Sequence, residues 1–283
     1  MISECIIVGS GKFAFSCARI SKKYCNNVRI FEYRPNDNIS NLEKLCSKNG
    51  EIDYGILQND SLYEYIKSKK KDKRKILLVS AFNTYIFDER FFDFAEDLII
   101  VNYHPALLPC HPGRNSEAWA IFEQDKVTGI TWHIVQREVD KGNILVQSNI
   151  MLDDSYTSLR LMLEQNKLGL IEYEKMLPHL LSGEIVSYKQ NEERGTYHKA
   201  KDIPNHGYID LNWSEEKIWA FLRAMDYGKL DILGRPKIRI DSDTYIWESY
   251  EFVKDKEAML IGENDHLISN QILLRNVREY SDE

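Results

Sequence analysis

Residues 98–142 read LIIVNYHPALLPCHPGRNSEAWAIFEQDKVTGITWHIVQREVDKG. Leu98 to His104 is an apolar run that turns polar at its end, the pattern of an interior strand emerging from a core. Pro105, Pro109 and Pro112 then forbid regular structure and make a loop. Ser116 to Glu123 has helical character, Thr128 to Val135 alternates as a strand does, and Asp140-Lys141-Gly142 is a turn. Asn102 and His104, at i and i+2 on the first strand, project from one face. They stand at the strand's C-terminal end, where open α/β sheets gather ligands. Asp140 returns to the same place if the Thr128 strand and a following strand, Ile144 to Ile150, extend the sheet. An amide, an imidazole and a carboxylate in such surroundings need partners, because burial without them costs free energy.

Working outward, the chain opens with a strand, Glu4 to Val8, the turn Gly9-Ser10-Gly11, a helix over Lys12 to Tyr24 and a strand over Val28 to Glu32. Helices are predicted at Leu42 to Lys48, Ser61 to Lys67 and Glu89 to Phe94, and strands at Tyr54 to Leu57 and Ile76 to Ala81. This alternation implies an α/β fold: an open, mostly parallel sheet with helices on both faces. A long helix, Ser158 to His179, follows, with cap candidates among Asp154 to Thr157. Ser182 to Asn205 is polar and aperiodic. The expected organisation is a catalytic domain over 1–182, a linker over 183–206 and a smaller module over 207–283. That module opens with a helix, Glu215 to Met225, capped by Ser214. Short strands at Lys237 to Ile240, Thr244 to Glu248, Ala258 to Ile261 and Ile268 to Leu274 suggest a β-rich, OB-like half-barrel.

A net charge of −7 argues against broad phosphate neutralisation and hence against a nucleic-acid binder. The basic run Lys67 to Lys75 is expected to be a solvated helix end. Five cysteines without metal or redox spacing fit free thiols in a reducing cytoplasm. Cys110 beside His111 is weighed as a catalytic thiol and set aside, since neighbours in sequence seldom form such pairs. The opening MISECIIVGSGKFAF lacks the features of a signal peptide, and no run of about 20 apolar residues is present. No metal site is expected.

Taken singly, Asn102 and Asp140 are ordinary turn residues and His104 a half-buried histidine. Taken together they resemble something specific. Asn102 to Pro109, then Gly113, then Thr128-Gly129-Ile130-Thr131-Trp132-His133, then Val139 to Gly142 are similar, in order and spacing, to the signature of the folate-dependent formyltransferases. The likeness is strong over 76–150 and extends in fold order over 1–180. It implies a Rossmann-like catalytic domain and transfer of a formyl group from N10-formyltetrahydrofolate, as co-substrate, to a primary amine. Gly207 to Asp210, Trp213-Ser214 and Leu222-Arg223-Ala224 resemble the start of the C-terminal domain of the methionyl-tRNA and sugar formyltransferases. The continuation, Met225 to Ile238, departs from their usual proline-rich turn.

The resemblance implies that Asn102, His104 and Asp140 are catalytic. Asn102 would donate to the oxyanion, a contribution of about 3 kcal/mol for one well-placed donor. His104 or Asp140 would be the base, and sequence leaves that choice open. Phe82, Asn83, Tyr85, Ile86, Val139 and Asp140 are the expected walls of the folate site, although Phe82 and Ile86 are equally natural core residues. Gly9, Ser10, Lys12, His111, Arg114 and Asn115 are the expected acceptor contacts, and His133 is expected to be supporting. The expected acceptor is a nucleotide-linked amino sugar. An aminoacyl or peptidyl intermediate ranks second and methionyl-tRNA third. The C-terminal module would shape acceptor binding or a homodimer interface, and no membrane partner is expected. Three rivals remain. A formyltetrahydrofolate hydrolase shares the triad but belongs to a family with an additional domain ahead of it. A nicotinamide dehydrogenase rests on Gly9 to Ala14 and on Glu32 as ribose ligand. The third is a binding protein without catalysis.

Overall fold

A computed structural model describes residues 2–34, 40–58, 60–70, 75–94, 96–191, 195–253 and 262–280. The strand expected at Ala258 to Ile261 and residues 71–74 of the basic run lie outside the described residues. Lys67 and Lys69 sit over the rings of Tyr63 and Tyr65, at 5.7 and 4.8 Å. Among the described residues no helix is long and apolar enough to cross a membrane.

The chain forms two compact units. The first comprises residues 1–112, 129–149 and 165–196. Its strands are β1 (Glu4–Gly9), β2 (Val28–Tyr33), β3 (Asp53–Leu57), β4 (Ile76–Ala81), β5 (Leu98–His104), β6 (Val127–Ile134) and β7 (Ile144–Met151). They make one sheet in the order β3-β2-β1-β4-β5-β6-β7. The first five are parallel, and β6 runs antiparallel to β5. β1 and β4 are buried along their whole length, as an interior parallel strand requires. The two faces sort by alternation: Ile6 and Val8 join one apolar cluster, Cys5 and Ile7 the other.

Helices α1 (Gly11–Lys22), α2 (Asn41–Asn49), α3 (Ser61–Lys70) and α4 (Glu89–Phe92) connect the parallel strands. α2 is bounded by textual signals in the chain itself: Ser40 accepts the Glu43 N–H at 3.0 Å, and Gly50 ends the helix at φ 67°. β2 and β3 lie to one side of β1 and β4 to the other, so the strand order reverses between β1 and β4. A Cβ on Gly9 at this point would fall 1.9 Å from the Ala81 carbonyl oxygen, so close packing of the two strands demands glycine.

The long helix α6 (Ser158–Ser182) contributes Gln165 onward to this unit. Gly169 lets Tyr103 pack against the helix, since a Cβ there would lie 2.4 Å from the tyrosine ring. Its carbonyl accepts the Trp132 indole N–H at 2.9 Å. Tyr103 and Trp132 face each other across β5 and β6, which turns Asn102 and His104 to the opposite face.

The second unit comprises 113–128, 150–164 and 197–283. This differs from the expected division at 182 and 207, and packing gives the reason. Helix α5 (Ser116–Phe122) lies against α7 (Glu215–Met225), with Phe122 5.6 Å from Trp213 and 6.2 Å from Phe221. Tyr227 donates to the buried Glu117 at 2.9 Å, and Ser158 donates to the Ala224 carbonyl at 2.6 Å. Ser214 caps α7 as expected. The β-rich module is present. β8 (Tyr208–Ile209), β9 (Lys237–Ile240), β10 (Asp243–Ile246) and β14 (Arg278–Glu279) form one sheet; β11 (Ser249–Phe252), β12 (His266–Leu267) and β13 (Ile272–Arg275) form another.

Candidate active site

Asn102 and His133 are directly opposite in the β5–β6 register, so their side chains share a face. The Asn102 Nδ2 lies 3.1 Å from His133 Nε2, and His133 Nδ1 lies 3.0 Å from the Ile134 carbonyl. The carbonyl can only accept, so Nδ1 carries the proton and the Asn102 amide donates to Nε2. One of the two Asn102 N–H groups is used in this way.

His104 ends β5 and is buried, as is His133. Its Nε2 donates to the His111 carbonyl at 2.9 Å. Its Nδ1 faces Asp140 Oδ2 at 3.6 Å, while Asp140 Oδ1 lies 3.5 Å from His133 Nε2. The structure therefore gathers Asn102, His104 and Asp140 as expected, and adds His133 as a member of the same cluster. Burial pushes His104 below its ordinary pKa; the Asp140 carboxylate and the His111 carbonyl oppose that shift in part. A histidine held neutral by the fold contributes stability above its unfolded pKa of about 6.5, and loses it as pH falls through the lower folded value. Asp140→Asn removes the opposing charge. The His104 titration, followed by NMR, is then expected to move further down; an upward move would contradict this geometry.

The loop after His104 is fastened by three polar side chains. Thr131 Oγ1 donates to the Ala106 carbonyl at 2.6 Å and accepts the Leu108 N–H at 3.1 Å. Gln147 donates to the Leu108 carbonyl at 2.8 Å and to Thr131 at 2.9 Å. Gln165, on α6, donates to the carbonyls of Pro105 and Gly129 at 2.6 and 3.0 Å. The loop includes a cis peptide at Leu108–Pro109. The turn of Asp140 closes just as tightly, because a Cβ on Gly142 would fall 1.6 Å from the Ile134 carbonyl oxygen.

Phe82, His111, Asn115 and Asp140 all have positive φ, between 48 and 57°, which side chains other than glycine rarely adopt.

The remaining expected residues fall as follows. The Phe82 ring packs on Phe13 and Tyr103, at 5.2 and 5.8 Å, and is half-buried against the core. Asn83 spends its amide on its own loop, accepting the Tyr85 N–H at 2.8 Å and donating to the Tyr85 carbonyl at 2.9 Å. It shapes backbone. Tyr85 sits among Tyr33, Phe87 and Phe91. Ile86 and Val139 are large apolar side chains left 70% and 45% exposed. Ser10 donates to the Phe82 carbonyl at 2.9 Å, tying the Gly9 turn to the end of β4; Lys12 is exposed. His111 is buried and supplies its carbonyl to His104. Arg114 and Asn115 belong to the second unit: Arg114 is exposed, and Asn115 starts α5. Glu32, the ribose ligand of the dehydrogenase rival, accepts hydroxyls from Ser40 and Tyr54 on one oxygen, each at 2.6 Å, and is buried.

His133, expected to be supporting, stands within the cluster, and its i+2 relation to Thr131 in an alternating strand marks the face it shares. Sequence reading missed the roles of Thr131, Gln147 and Gln165. Gln165 is buried and Gln147 half-buried, and both have polar neighbours in the chain, so neither leaves a local signal.

Residues 47–176 match the formyl transferase family. The chain is 35% identical over 125 residues to a GDP-perosamine N-formyltransferase of Brucella melitensis, a segment covering 44% of this chain and 47% of that protein. It is 27% identical over 195 residues to a methionyl-tRNA formyltransferase of Coprothermobacter proteolyticus, covering 66% of this chain and 62% of that one. The chain thus spans about half the length of the first of these curated relatives. In fold it is similar to an N-formyltransferase from Helicobacter canadensis, solved with folinic acid and dTDP-3-aminofucose. The TM-score is 0.71 at 17% identity, over 99% of this chain and 100% of that one. Residues 47–176, the stretch that carries Asn102, His104, His133 and Asp140, are thus what this chain shares with the formyl transferase family.

Proposed function

We propose that this chain transfers the formyl group of N10-formyltetrahydrofolate to a primary amine, that of a nucleotide-linked amino sugar. The observation that carries the proposal is one carboxylate, Asp140, held 3.6 and 3.5 Å from two buried imidazoles, with the Asn102 amide on the second.

The acceptor nitrogen forms a bond to the formyl carbon as the bond from that carbon to folate N10 breaks; the protein must take the proton from the amine, accommodate charge on oxygen and let a proton reach the departing N10. Asn102 has a second N–H beyond the one given to His133, and its role is to donate to the formyl oxygen as negative charge builds there. His104 and Asp140 take the proton as a pair. With Nε2–H given to the His111 carbonyl, the basic nitrogen of neutral His104 is Nδ1, which faces Asp140. Once Nδ1 is protonated, the imidazolium has an acceptor for each N–H, the carbonyl on one side and the carboxylate on the other. The lowered His104 pKa keeps the ring neutral, and so able to accept, at neutral pH. His133, held in one tautomer by Ile134, orients Asn102. The exposed Ile86 and Val139 fit the apolar face of a pterin, with the backbone of residues 82–86 at its edge.

The amino-sugar acceptor is supported by the similarity to a GDP-perosamine N-formyltransferase and by the fold shared with an enzyme solved on a dTDP-amino sugar. Similarity to a methionyl-tRNA formyltransferase supports a second reading; the net charge of −7 weighs against it, because tRNA docking needs phosphate neutralisation. The test is incubation with N10-formyltetrahydrofolate and a panel of GDP- and dTDP-linked amino sugars, aminoacyl carrier proteins and methionyl-tRNA. Mass spectrometry is expected to find the added mass of CO on a nucleotide sugar. Formylation of methionyl-tRNA alone would overturn the acceptor assignment.

A further inference from the structure

The polar stretch after α6 reads in the sequence as a linker, yet within the first unit Tyr188 bridges to Ile144 at the start of β7. Ile144 N–H donates to the Tyr188 carbonyl at 2.8 Å and Tyr188 N–H returns to Ile144 at 3.0 Å. Two residues on, the Gln190 amide donates to both the Asp140 and the Gly142 carbonyls, each at 2.7 Å. Its two hydrogens are satisfied by two carbonyls that flank Lys141, so a single side chain spans the turn. The Tyr188 hydroxyl donates to Gln147 Oε1 at 3.1 Å, and Gln147 holds the Leu108 carbonyl and Thr131. One short segment thereby fastens both flanks of the cluster, the turn that carries Asp140 and the loop that follows His104.

We propose that Gln190 is a positioning residue for formyl transfer, setting the Asp140 carboxylate against His104 and His133. This rests on the function proposed above. The need for such a clamp follows from backbone geometry. Asp140 adopts φ 57°, a left-handed conformation that residues other than glycine adopt uncommonly. A turn in that conformation relaxes unless other bonds hold it, and two short hydrogen bonds to its carbonyls do so. A displacement of about 1 Å is enough to matter, since misplacing a reacting group by that much costs about a hundredfold in rate.

Gln190→Met keeps the length of the side chain and removes both donors. It is expected to lower kcat by about 10- to 100-fold with the KM of the formyl donor little changed. It is also expected to move the His104 titration, followed by NMR, downward, because a displaced carboxylate supports the imidazolium less. Gln190→Asn keeps the amide but is one methylene shorter than the span; it should fall between wild type and Met, and it substitutes for Met if that variant does not fold. A folded variant whose His104 titrates as in wild type overturns the proposal, whatever happens to its rate. If wild type itself forms no formylated product, the function assignment fails instead, and the His104 titration alone still decides whether Gln190 positions Asp140.

Discussion

Asp140→Asn is expected to lower kcat about a thousandfold, the scale of a lost proton-transfer group, while binding of the formyl donor stays within about twofold of wild type. The substitution leaves size and shape unchanged and removes the charge that two imidazoles face at 3.6 and 3.5 Å. Two effects then act in the same direction. The proton leaving the amine loses its carboxylate, and His104, already depressed by burial, loses the charge that partly offsets that burial. The imidazolium formed after proton transfer would keep the His111 carbonyl but would face a neutral amide in place of the carboxylate. Steady-state rates with the substrate identified by the acceptor panel, beside a thermal melt to establish that the variant is folded, check this directly. A folded variant with near wild-type kcat would remove Asp140 from the chemistry.

Gly142→Ala is expected to cost about 3–5 kcal/mol of stability, read from urea unfolding, and to abolish transfer in whatever folded fraction remains. The new Cβ would lie 1.6 Å from a backbone oxygen, that of Ile134, and 2.8 Å from its carbon. No rotamer relieves a clash with backbone, so the turn must open, and Asp140 moves with it. Gly11→Ala is the informative contrast. Gly11 has φ 64°, but nothing lies within 4 Å of its Cβ position, so only the conformational cost of about 1–2 kcal/mol is expected. Equal effects of the two substitutions would mean that steric closure of the Asp140 turn is not what fixes it.

Much of the first unit was legible because its signals are local. The predominantly apolar runs Glu4–Gly9 and Ile76–Ala81 are interior parallel strands, buried along their whole length. The i, i+2 spacing of Asn102 and His104 put them on one face, and the antiparallel register of β5 and β6 then brought His133 opposite Asn102. The clamps were not legible. Gln147 meets Leu108 across 39 residues, Gln165 meets Pro105 across 60, and Gln190 meets Asp140 across 50. No periodicity records a hydrogen bond at such separations. Asn83 closes its own loop through the N–H and carbonyl of Tyr85, a use that no periodicity records either. The division into units was equally hidden, since α5 precedes α7 by about a hundred residues and joins it through Phe122, Trp213 and Phe221.

The central claim is that Asn102, His104, His133 and Asp140 together move a formyl group to an amine. The most direct measurement uses N10-formyltetrahydrofolate labelled at the formyl carbon, mixed with excess enzyme and a nucleotide-linked amino sugar, and follows the label through a single turnover. Wild-type protein is predicted to deliver the label to the sugar nitrogen, and Asp140→Asn to leave it on the folate. Label released as formate, with none on the sugar, would contradict transfer and favour a hydrolase.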